Sequence, residues 1–254
     1  MLKEASNPVK STVRTFEVLE GLKELNGARV TELATHLDLP KSNVHNYLST
    51  LRQEEYVVKD GDEYRIGLRF FELGAYARNR MKIHNIARPE IDELAAETGE
   101  LTNLLVEEHG RGSYLYRARG EQAVRVAAHV GTRVPLHSTG LGKAILAHLP
   151  EEYVEEIIAY HGLPKSTSET ITDPNELYEE LERTRERGYA IDNEERLRGL
   201  RCVAAPILSN EDRVLGAVSI AGPTNRLQGD LFEEELPERL LETVNVIELN
   251  VTYS

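Results

Sequence analysis

The first part of the chain carries apolar residues at helical spacing, in three short stripes. In the first stripe they recur every three or four positions, at Val13, Phe16, Leu19, Leu22 and Leu25. This spacing predicts an amphipathic helix over residues 12–25. Two more helices are expected after it, with Thr31 and Ser42 as candidate N-caps. Pro40 separates these two helices, because proline disfavours helical geometry in the residue before it.

The third helix leads into a pattern typical of a β-hairpin. Residues 56–59 and 63–66 are strand-like, and an Asp-Gly-Asp turn lies between them. Three helices with a tight turn between the second and third, followed by a hairpin, form the order of a winged helix-turn-helix. We therefore predict a DNA-binding domain over residues 1–66.

A linker helix is predicted over residues 67–80, followed by a second domain over residues 81–254. The linker carries apolar residues at Leu68, Phe71 and Leu73, which indicates packing against another surface, such as a second subunit. In the second domain, helices are predicted at 84–98, 140–148, 151–160, 174–187 (after the candidate cap Asp173) and 232–250, and strands at 101–107, 113–118, 123–130, 202–208 and 213–221. This mixture predicts an α+β domain around an antiparallel sheet.

The polar face of the third helix supplies the candidate DNA contacts. Val44, Leu48 and Leu51 form its buried stripe, so the opposite side faces outward. The candidate contact residues on this helix are Lys41, Ser42, Asn43, His45, Asn46 and Ser49. Their side chains can hydrogen-bond to base edges and phosphates, and an Asn can bind adenine through two hydrogen bonds. An ordinary solvated face would be equally polar, but the helix contains no Asp or Glu, which favours contact with a polyanion.

The distribution of charge also points to the first domain as the DNA-binding part. Residues 1–80 carry 12 Lys or Arg and 12 Asp or Glu, so the whole net charge of −13 lies after residue 80. Only the charge-balanced part is suited to a polyanion. Within it, Lys59 and Arg65 of the predicted wing can reach phosphates, although three carboxylates beside them oppose a close contact.

The basic side chains are mostly arginine, since only 8 of the 30 are lysine. An acidic, lysine-poor composition is typical of proteins from salt-loving organisms, and the alternative is an ordinary acidic protein. In concentrated salt, the release of counterions from DNA favours binding less, so phosphate contacts are weaker and recognition would depend more on base edges and DNA shape.

Several classes of protein are disfavoured by what the sequence lacks. No apolar run approaches the roughly 18 residues of a membrane helix, and residues 1–10 contain no secretory-signal core, so we expect a cytoplasmic protein with no membrane partner. The single cysteine, Cys202, excludes an internal disulfide and a cysteine-cluster metal site. The eight histidines show no metal-binding spacing, so neither a metal nor a cofactor is predicted.

A glycine-rich segment, Gly140-Leu141-Gly142-Lys143, lies between a strand-like run and a predicted helix. Backbone N–H groups at such a position can hold an anion. The segment lacks the GxxxxGK[ST] pattern of nucleotide-hydrolysing proteins, so hydrolysis is not expected. A plain tight turn is the alternative interpretation.

An enzyme that uses Cys202 or Asp192 is the main alternative function. Cys202 lies in an apolar run typical of an inert, buried thiol. Catalysis by this thiol would need a nearby base, such as His129 or His137. A second alternative is a ligand-free architectural DNA-binding protein, whose second domain would have no cavity.

Several segments match a known pattern. In the first domain they are Val30-Thr31-Glu32-Leu33-Ala34, Leu39-Pro40-Lys41-Ser42 and Tyr64-Arg65-Ile66-Gly67. In the second they are Glu97-Thr98-Gly99-Glu100, Val134-Pro135-Leu136-His137 and Gly140-Leu141-Gly142-Lys143-Ala144, and the most specific runs from Gly188 through Asp192 and Glu195 to Cys202-Val203-Ala204-Ala205-Pro206-Ile207. On these segments the chain resembles the isocitrate lyase regulator (IclR) family of transcriptional regulators over nearly its whole length.

The resemblance implies a regulator of carbon metabolism with a GAF-like effector domain, in which small molecules, often organic acids, bind beside the sheet. It implies binding to double-stranded operator DNA as a homodimer or a tetramer, through the winged helix and the linker helix. By position, the effector pocket would use the backbone amides of Gly140 and Leu141 and the side chains of Asp192, Cys202 and Ser219. Ala221 stands where some acid-binding relatives place a second hydroxyl.

Overall fold

The computed structural model describes residues 5–253, which fold as two units, residues 5–78 and residues 79–253. The elements of the first unit are α1 (Lys10–Glu24), β1 (Ala28–Arg29), α2 (Val30–His36), α3 (Lys41–Gln53), β2 (Val57–Asp60), β3 (Glu63–Ile66) and α4 (Arg69–Asn79). The three strands form one antiparallel sheet in the order β1-β3-β2. The predicted winged helix-turn-helix is confirmed.

The core of the first unit forms where the apolar stripes of its helices meet. Val18 and Leu22 of α1, Leu33 of α2 and Leu48 of α3 are at most 1% exposed, and Val57 of the hairpin packs against them. Because α3 places its apolar side in this core, its polar side stays exposed to solvent.

Two predicted helix caps in the first unit are wrong. Helix α2 begins at Val30, one residue before Thr31, and the side chain of Glu32 accepts a hydrogen bond of 2.8 Å from the backbone N–H of Arg29. Helix α3 begins before Ser42, directly after Pro40, whose fixed φ suits a helix start. In both cases the helix begins before the hydroxyl residue, so the hydroxyl does not act as the cap.

The second unit is an α+β domain, as predicted. Its elements are α5 (Lys82–Thr98), β4 (Leu101–Glu108), β5 (Arg111–Arg119), β6 (Arg133–Pro135), α6 (Gly140–Leu146), α7 (Glu151–His161), α8 (Pro174–Arg187), β7 (Ala190–Asn193), β8 (Leu200–Leu208), β9 (Val214–Pro223) and, after a π turn at Leu231–Glu235, α9 (Leu236–Thr252). The six strands form one antiparallel sheet in the order β6-β5-β4-β9-β8-β7. Within residues 5–253, no helix is both long enough and apolar enough to cross a membrane.

The sheet buries both of its faces. Leu104 and Val218 belong to the face that packs against α5 and α9. Cys202 and Ala204 belong to the opposite face, which is covered by α6, α7 and α8. Because side chains alternate along a strand, neighbouring residues of one strand pack on opposite faces of the sheet. This alternation decides which side chains face α6.

The predicted strand over residues 123–130 is wrong, since this segment is irregular. Its alanines bury little apolar area, and the free edge of β5 is paired with β6 instead. The short strands β1, β6 and β7 were not predicted. By contrast, the Asp173 cap is confirmed, because its carboxylate accepts hydrogen bonds from the N–H groups of Asn175 at 2.8 Å and Glu176 at 3.2 Å.

Candidate functional site

A cavity of about 310 Å³ lies on the α6 side of the sheet. All five pocket residues implied by the resemblance line it, namely Gly140, Leu141, Asp192, Cys202 and Ser219. The sheet order brings them together, because β7, β8 and β9 are adjacent and Cys202 pairs in register with Asp192 on one side and Ala221 on the other. The irregular segment 123–130 supplies part of the wall, through Val126, Ala127 and Ala128.

The sheet side of the cavity carries a chain of polar side chains across three strands. Arg117 on β5 donates a hydrogen bond of 2.9 Å from Nε to Oδ1 of Asn103 on β4. Asn103 in turn donates through Nδ2 to Oγ of Ser219 on β9, at 3.1 Å. All three residues line the cavity. Asn103 and Ser219 are buried, so this chain satisfies groups that would otherwise be costly to remove from water.

Helix α6 starts at the edge of the cavity. Thr139 caps it by accepting a hydrogen bond of 2.9 Å from the N–H of Gly142. Gly140 and Leu141 are the first two residues of the helix, so their N–H groups have no acceptor within it, and both residues line the cavity. A Cβ on Gly140 would lie 3.3 Å from Sγ of Cys202, so glycine allows this close approach to β8.

Asp192 is a buried acid whose charge depends on pH near neutrality. Burial raises the pKa of its carboxyl to about 7, and the nearby Glu195 carboxylate raises it too, against the opposing effect of Lys143. Its Oδ1 accepts hydrogen bonds from the N–H groups of Glu195 at 2.8 Å and Arg196 at 3.4 Å, which also favour the charged form. The cavity therefore offers either a carboxylate or a carboxylic acid at this position.

A buried cluster of charges lies beside Asp192. Lys143 of α6 is 1% exposed and pairs with Glu195, and its Nζ lies 3.8 Å from Oε1 of Glu180 on α8. Burial opposes ionisation of Glu180, but Lys143 and Arg187 together lower its pKa. Burial raises the pKa of Glu195, and pairing with Lys143 counteracts this. The cluster connects α6 and α8 to Glu195, in the turn that follows Asp192 and β7.

The Cys202 thiol is poorly suited to act as a nucleophile. Burial raises its pKa well above the ordinary value, and the nearby Asp192 carboxylate raises it further, so the reactive thiolate is disfavoured. Its hydrogen bond goes to the carbonyl of Val203, at 3.5 Å. The two histidines considered as bases bond to backbone carbonyls, His137 to Pro164 at 3.1 Å and His129 to Val130 at 2.8 Å.

The candidate DNA contacts of α3 are exposed, as the predicted face requires. The exposed set is Lys41, Ser42, Asn43, His45, Asn46 and Ser49. Asn43 and Asn46 also line an open groove beside α1, together with Ser11 and Thr15. These polar side chains therefore extend the α3 surface onto α1.

The two candidate contacts of the wing are separated. Lys59 pairs in register with Tyr64, and Arg65 pairs with Val58, so they point to opposite faces of the hairpin. The Lys59 ammonium lies 5.3 Å from the centre of the Tyr64 ring. Arg65 donates a hydrogen bond of 3.0 Å to Glu63, an exposed pair of little energetic value. Only one of the two can face a given DNA strand.

In the part of the chain that the structure describes, no group of three or more His, Cys, Asp or Glu side chains is arranged to hold a metal ion. The polar groups of the cavity instead line an open space of about 310 Å³.

Comparison with known proteins places both units in one family. The IclR helix-turn-helix domain matches residues 11–61, and the domain described as "Bacterial transcriptional regulator IclR C-terminal" matches residues 75–249. This chain belongs to the IclR family. Within the IclR family, the Halobacterium salinarum protein named "Probable HTH-type transcriptional regulator ArcR" is 38% identical over 247 residues, which cover 96% of this chain and 94% of that protein.

Two solved structures of this family match nearly the whole chain. Thermotoga maritima IclR has a TM-score of 0.78 at 31% identity, covering 97% of this chain and 100% of that one. An IclR homologue from Microbacterium hydrocarbonoxydans, solved in complex with 4-hydroxybenzoate, has a TM-score of 0.80 at 26% identity, covering 95% and 98%. The protein is thus an IclR-family DNA-binding transcriptional regulator with an effector-binding carboxy-terminal domain, as predicted. The Halobacterium relative is consistent with the halophilic origin that the acidic, lysine-poor composition favours.

Several polar residues that line the cavity were not predicted from the sequence. Three of them are Asn103, Arg117 and Arg196. Each lies on a strand or turn with unremarkable neighbours, and only the order of the strands brings them to the cavity. The one available signal was the alternation along β4, where Asn103 interrupts an apolar run.

Proposed function

We propose that this IclR-family regulator binds a two-fold operator as a homodimer or a tetramer. We further propose that a small organic molecule in the 310 Å³ cavity changes its affinity for that operator. The observation that carries the proposal is the convergence of Gly140, Leu141, Asp192, Cys202 and Ser219 on one cavity. A ligand that binds one arrangement of the protein better than another shifts the population toward it.

On the DNA side, the exposed polar face of α3 supports insertion into a major groove. Asn43 and Asn46 can read adenines, and Lys41 lies at the amino-terminal end of the helix, where a phosphate contact positions it. In the wing, Lys59 and Arg65 contribute phosphate contacts from opposite faces of the hairpin. The acidic, lysine-poor composition supports recognition in concentrated salt, in which phosphate contacts are weakened.

The exposed apolar surface of the first unit supports association with a second copy. No residue of α4 is buried, and Phe71 and Tyr76 are 71% and 73% exposed. Leu68, which precedes the helix, is 88% exposed, and Phe16 of α1 is 61% exposed. Phe70 of α4 packs against Tyr56, but a helix of this length gains most of its stability from packing, so covering the exposed apolar side chains with a partner surface would stabilise it.

Binding without chemical change is favoured over catalysis in the cavity. The raised pKa of the Cys202 thiol keeps it protonated, and the described hydrogen bonds of His129 and His137 go to carbonyls. Asp192 is held by two backbone N–H groups. The architectural alternative requires a filled domain interior, and the open cavity argues against it.

A thermal-shift screen of the purified full chain in high salt tests this proposal. The probes are sugars, sugar acids, aromatic acids and short keto acids, with Asp192→Ala as the cavity variant and the exposed Asp212→Ala as the control. A ligand of the native state raises the Tm by mass action, and this shift should vanish in Asp192→Ala only. A shift that survives equally in both variants would place the ligand elsewhere, and Cys202-dependent turnover of a probe would favour the enzyme.

A further inference from the structure

Two arginines line the cavity without a carboxylate partner. Arg117 on β5 and Arg196 in the turn after β7 both contribute to the cavity wall. Among residues 5–253, no Asp or Glu side chain lies within ion-pair distance of either guanidinium. A guanidinium stays charged at any physiological pH, so the cavity carries two positive charges that the described residues do not neutralise.

This arrangement contrasts with other covered cations of the same domain. Lys143 pairs with Glu195, Arg187 pairs with Glu180 at 2.7 Å, and Arg226 pairs with Glu100. Residues 81–254 carry 31 Asp or Glu and only 18 Lys or Arg, so carboxylates are abundant. Arg117 and Arg196 line the cavity without a carboxylate partner, which indicates that a negatively charged group from outside the chain neutralises them.

The Arg117 guanidinium is held in a defined direction. Its Nε donates to Asn103, and its central carbon lies 5.5 Å from the centre of the Tyr114 ring. Asn103 is in turn fixed by its hydrogen bond to Ser219. Among the described residues, Nε is the only guanidinium nitrogen of Arg117 with a hydrogen-bond acceptor. The terminal nitrogens therefore remain available for a ligand, and the support from Asn103 reduces the entropy lost on binding.

Arg196 is tied to the same cavity through its backbone. Its N–H donates to Asp192, which also lines the cavity. Burial is the main cause that lowers the pKa of Arg117, and the positive charges of Arg119 and Arg196 lower it further. Both guanidiniums therefore belong to one cavity wall, and an anion bound there would offset the cost of burying the Arg117 charge.

We propose that Arg117 and Arg196 form a carboxylate-binding clamp, so that the effector is an organic acid held by its carboxylate at the two guanidiniums and by an uncharged polar group at Asp192. Arginine binds carboxylates through two parallel hydrogen bonds, which fixes orientation as well as charge. Asp192 can accept from a hydroxyl or, when protonated, donate to a carbonyl. A cavity of about 310 Å³ has room for a ligand of roughly ten non-hydrogen atoms.

This inference rests on the proposed effector function of the cavity, and matched ligand pairs separate the two. The full chain is screened by thermal shift at 10 mM against carboxylic acids of roughly six to twelve non-hydrogen atoms, each paired with its primary amide. Acids that raise the Tm are then titrated by calorimetry. The amide keeps the shape and removes the charge, so only the acid should bind.

The variants are Arg117→Gln and Arg196→Gln, each with a matched control. Arg119→Gln removes a charge from the same strand, and Arg198→Gln removes one from the same turn; both control arginines are exposed and neither lines the cavity. We expect each clamp variant to weaken acid binding by roughly tenfold or more, and each control to change it by less than about twofold. The Tm of ligand-free Arg196→Gln should stay within about 2 °C of the wild-type value, which shows that the fold is kept.

Three outcomes would overturn the clamp. The first is equal binding of acids and amides, and the second is equal loss of affinity in clamp and control variants. The third is a panel in which no acid raises the Tm. By contrast, an acid that binds through both arginines and leaves operator affinity unchanged would support the clamp and contradict the effector function.

Discussion

The two units place their functional side chains in opposite environments. In the first unit, the candidate DNA contacts of α3 lie on its exposed side, opposite the residues that α3 buries in the core. In the second, Lys143, Asp192 and Glu195 are buried within the packing of the domain. Function and stability are therefore separable in the first unit and coupled in the second. Two lysines illustrate this difference in burial: Lys59 is exposed on the wing, whereas Lys143 is 1% exposed in the second unit.

The largest effect is expected from removing the buried cation. Lys143→Met leaves the Glu195 and Glu180 carboxylates without their shared partner, which should destabilise the second domain by about 3–5 kcal/mol. Thermal unfolding of the full chain, followed by circular dichroism, measures the loss. Lys59→Met is the matched control and should leave the Tm within about 1 °C of the wild-type value while it weakens operator binding. Similar Tm values for the two variants would contradict the proposed difference between the two units.

A second effect concerns the apolar surface that the first unit leaves exposed. If Phe71 is covered by a second copy, Phe71→Ser should weaken dimerisation by roughly 30-fold or more, since burying a Phe is worth about 2–3 kcal/mol. Sedimentation measured over a range of concentrations gives the dissociation constant. Tyr160→Ser, at a 55% exposed residue of α7, controls for a general loss of apolar surface. Unchanged sedimentation of Phe71→Ser would contradict the proposed interface.

The third effect is a dependence of stability on pH that only the second domain should show. The folded-state pKa of Asp192 is raised to about 7 from 3.8, so between these values the folded state binds more protons than the unfolded state. Stability from this group is therefore full below about pH 4 and falls as pH rises toward 7, by about 2–3 kcal/mol between pH 5 and pH 8.

The variant Asp192→Asn isolates this contribution, because it keeps the side-chain oxygen that accepts from Glu195 and Arg196. Its free energy of unfolding should fall less than that of the wild type between pH 5 and pH 8, in denaturant titrations at both values. Glu195, Lys143, Cys202, Tyr114 and Arg196 surround the carboxyl and remain unchanged. Parallel pH profiles of wild type and variant would show that Asp192 titrates normally.

The smallest effect is expected on the exposed helix. Asn46→Ala should weaken operator binding by roughly tenfold, because a side chain that reads adenine through two hydrogen bonds is worth about 1–3 kcal/mol. The Tm should not change, since Asn46 is exposed. Fluorescence anisotropy with a promoter fragment measures the affinity. Gln53→Ala, at the carboxy-terminal end of α3, should bind almost as the wild type does.

Local patterns in the sequence predicted most of the helices, because most helices bury one apolar stripe. Helix α8 is an example, since the residues next to its two ends mark them in the sequence. Asp173 caps its start, and Gly188 follows its last residue. The short strands β1, β6 and β7 were missed, because strands of 2, 3 and 4 residues have too few positions to show an alternating pattern. The irregular segment 123–130 was mistaken for a strand, because the sequence does not show that β5 pairs with β6 instead.

The cavity residues also differ in whether the sequence predicted them. Asp192 and Cys202 were predicted only because they lie in a segment that resembles a known family. Arg117 carries no local signal, and its position depends on the register of β5 against β4, where it pairs with Asn103. A residue whose function depends on its neighbours across a sheet cannot be found from periodicity along one strand.

The central claim is that occupancy of the cavity changes the affinity for DNA. The most direct test titrates a promoter fragment with the full chain, with and without a saturating organic acid that binds the cavity. We predict that the acid changes the operator dissociation constant by at least about fivefold, a usual size for such coupling, and that Asp192→Ala abolishes the change. An acid that binds by calorimetry and leaves the dissociation constant unchanged would contradict the account.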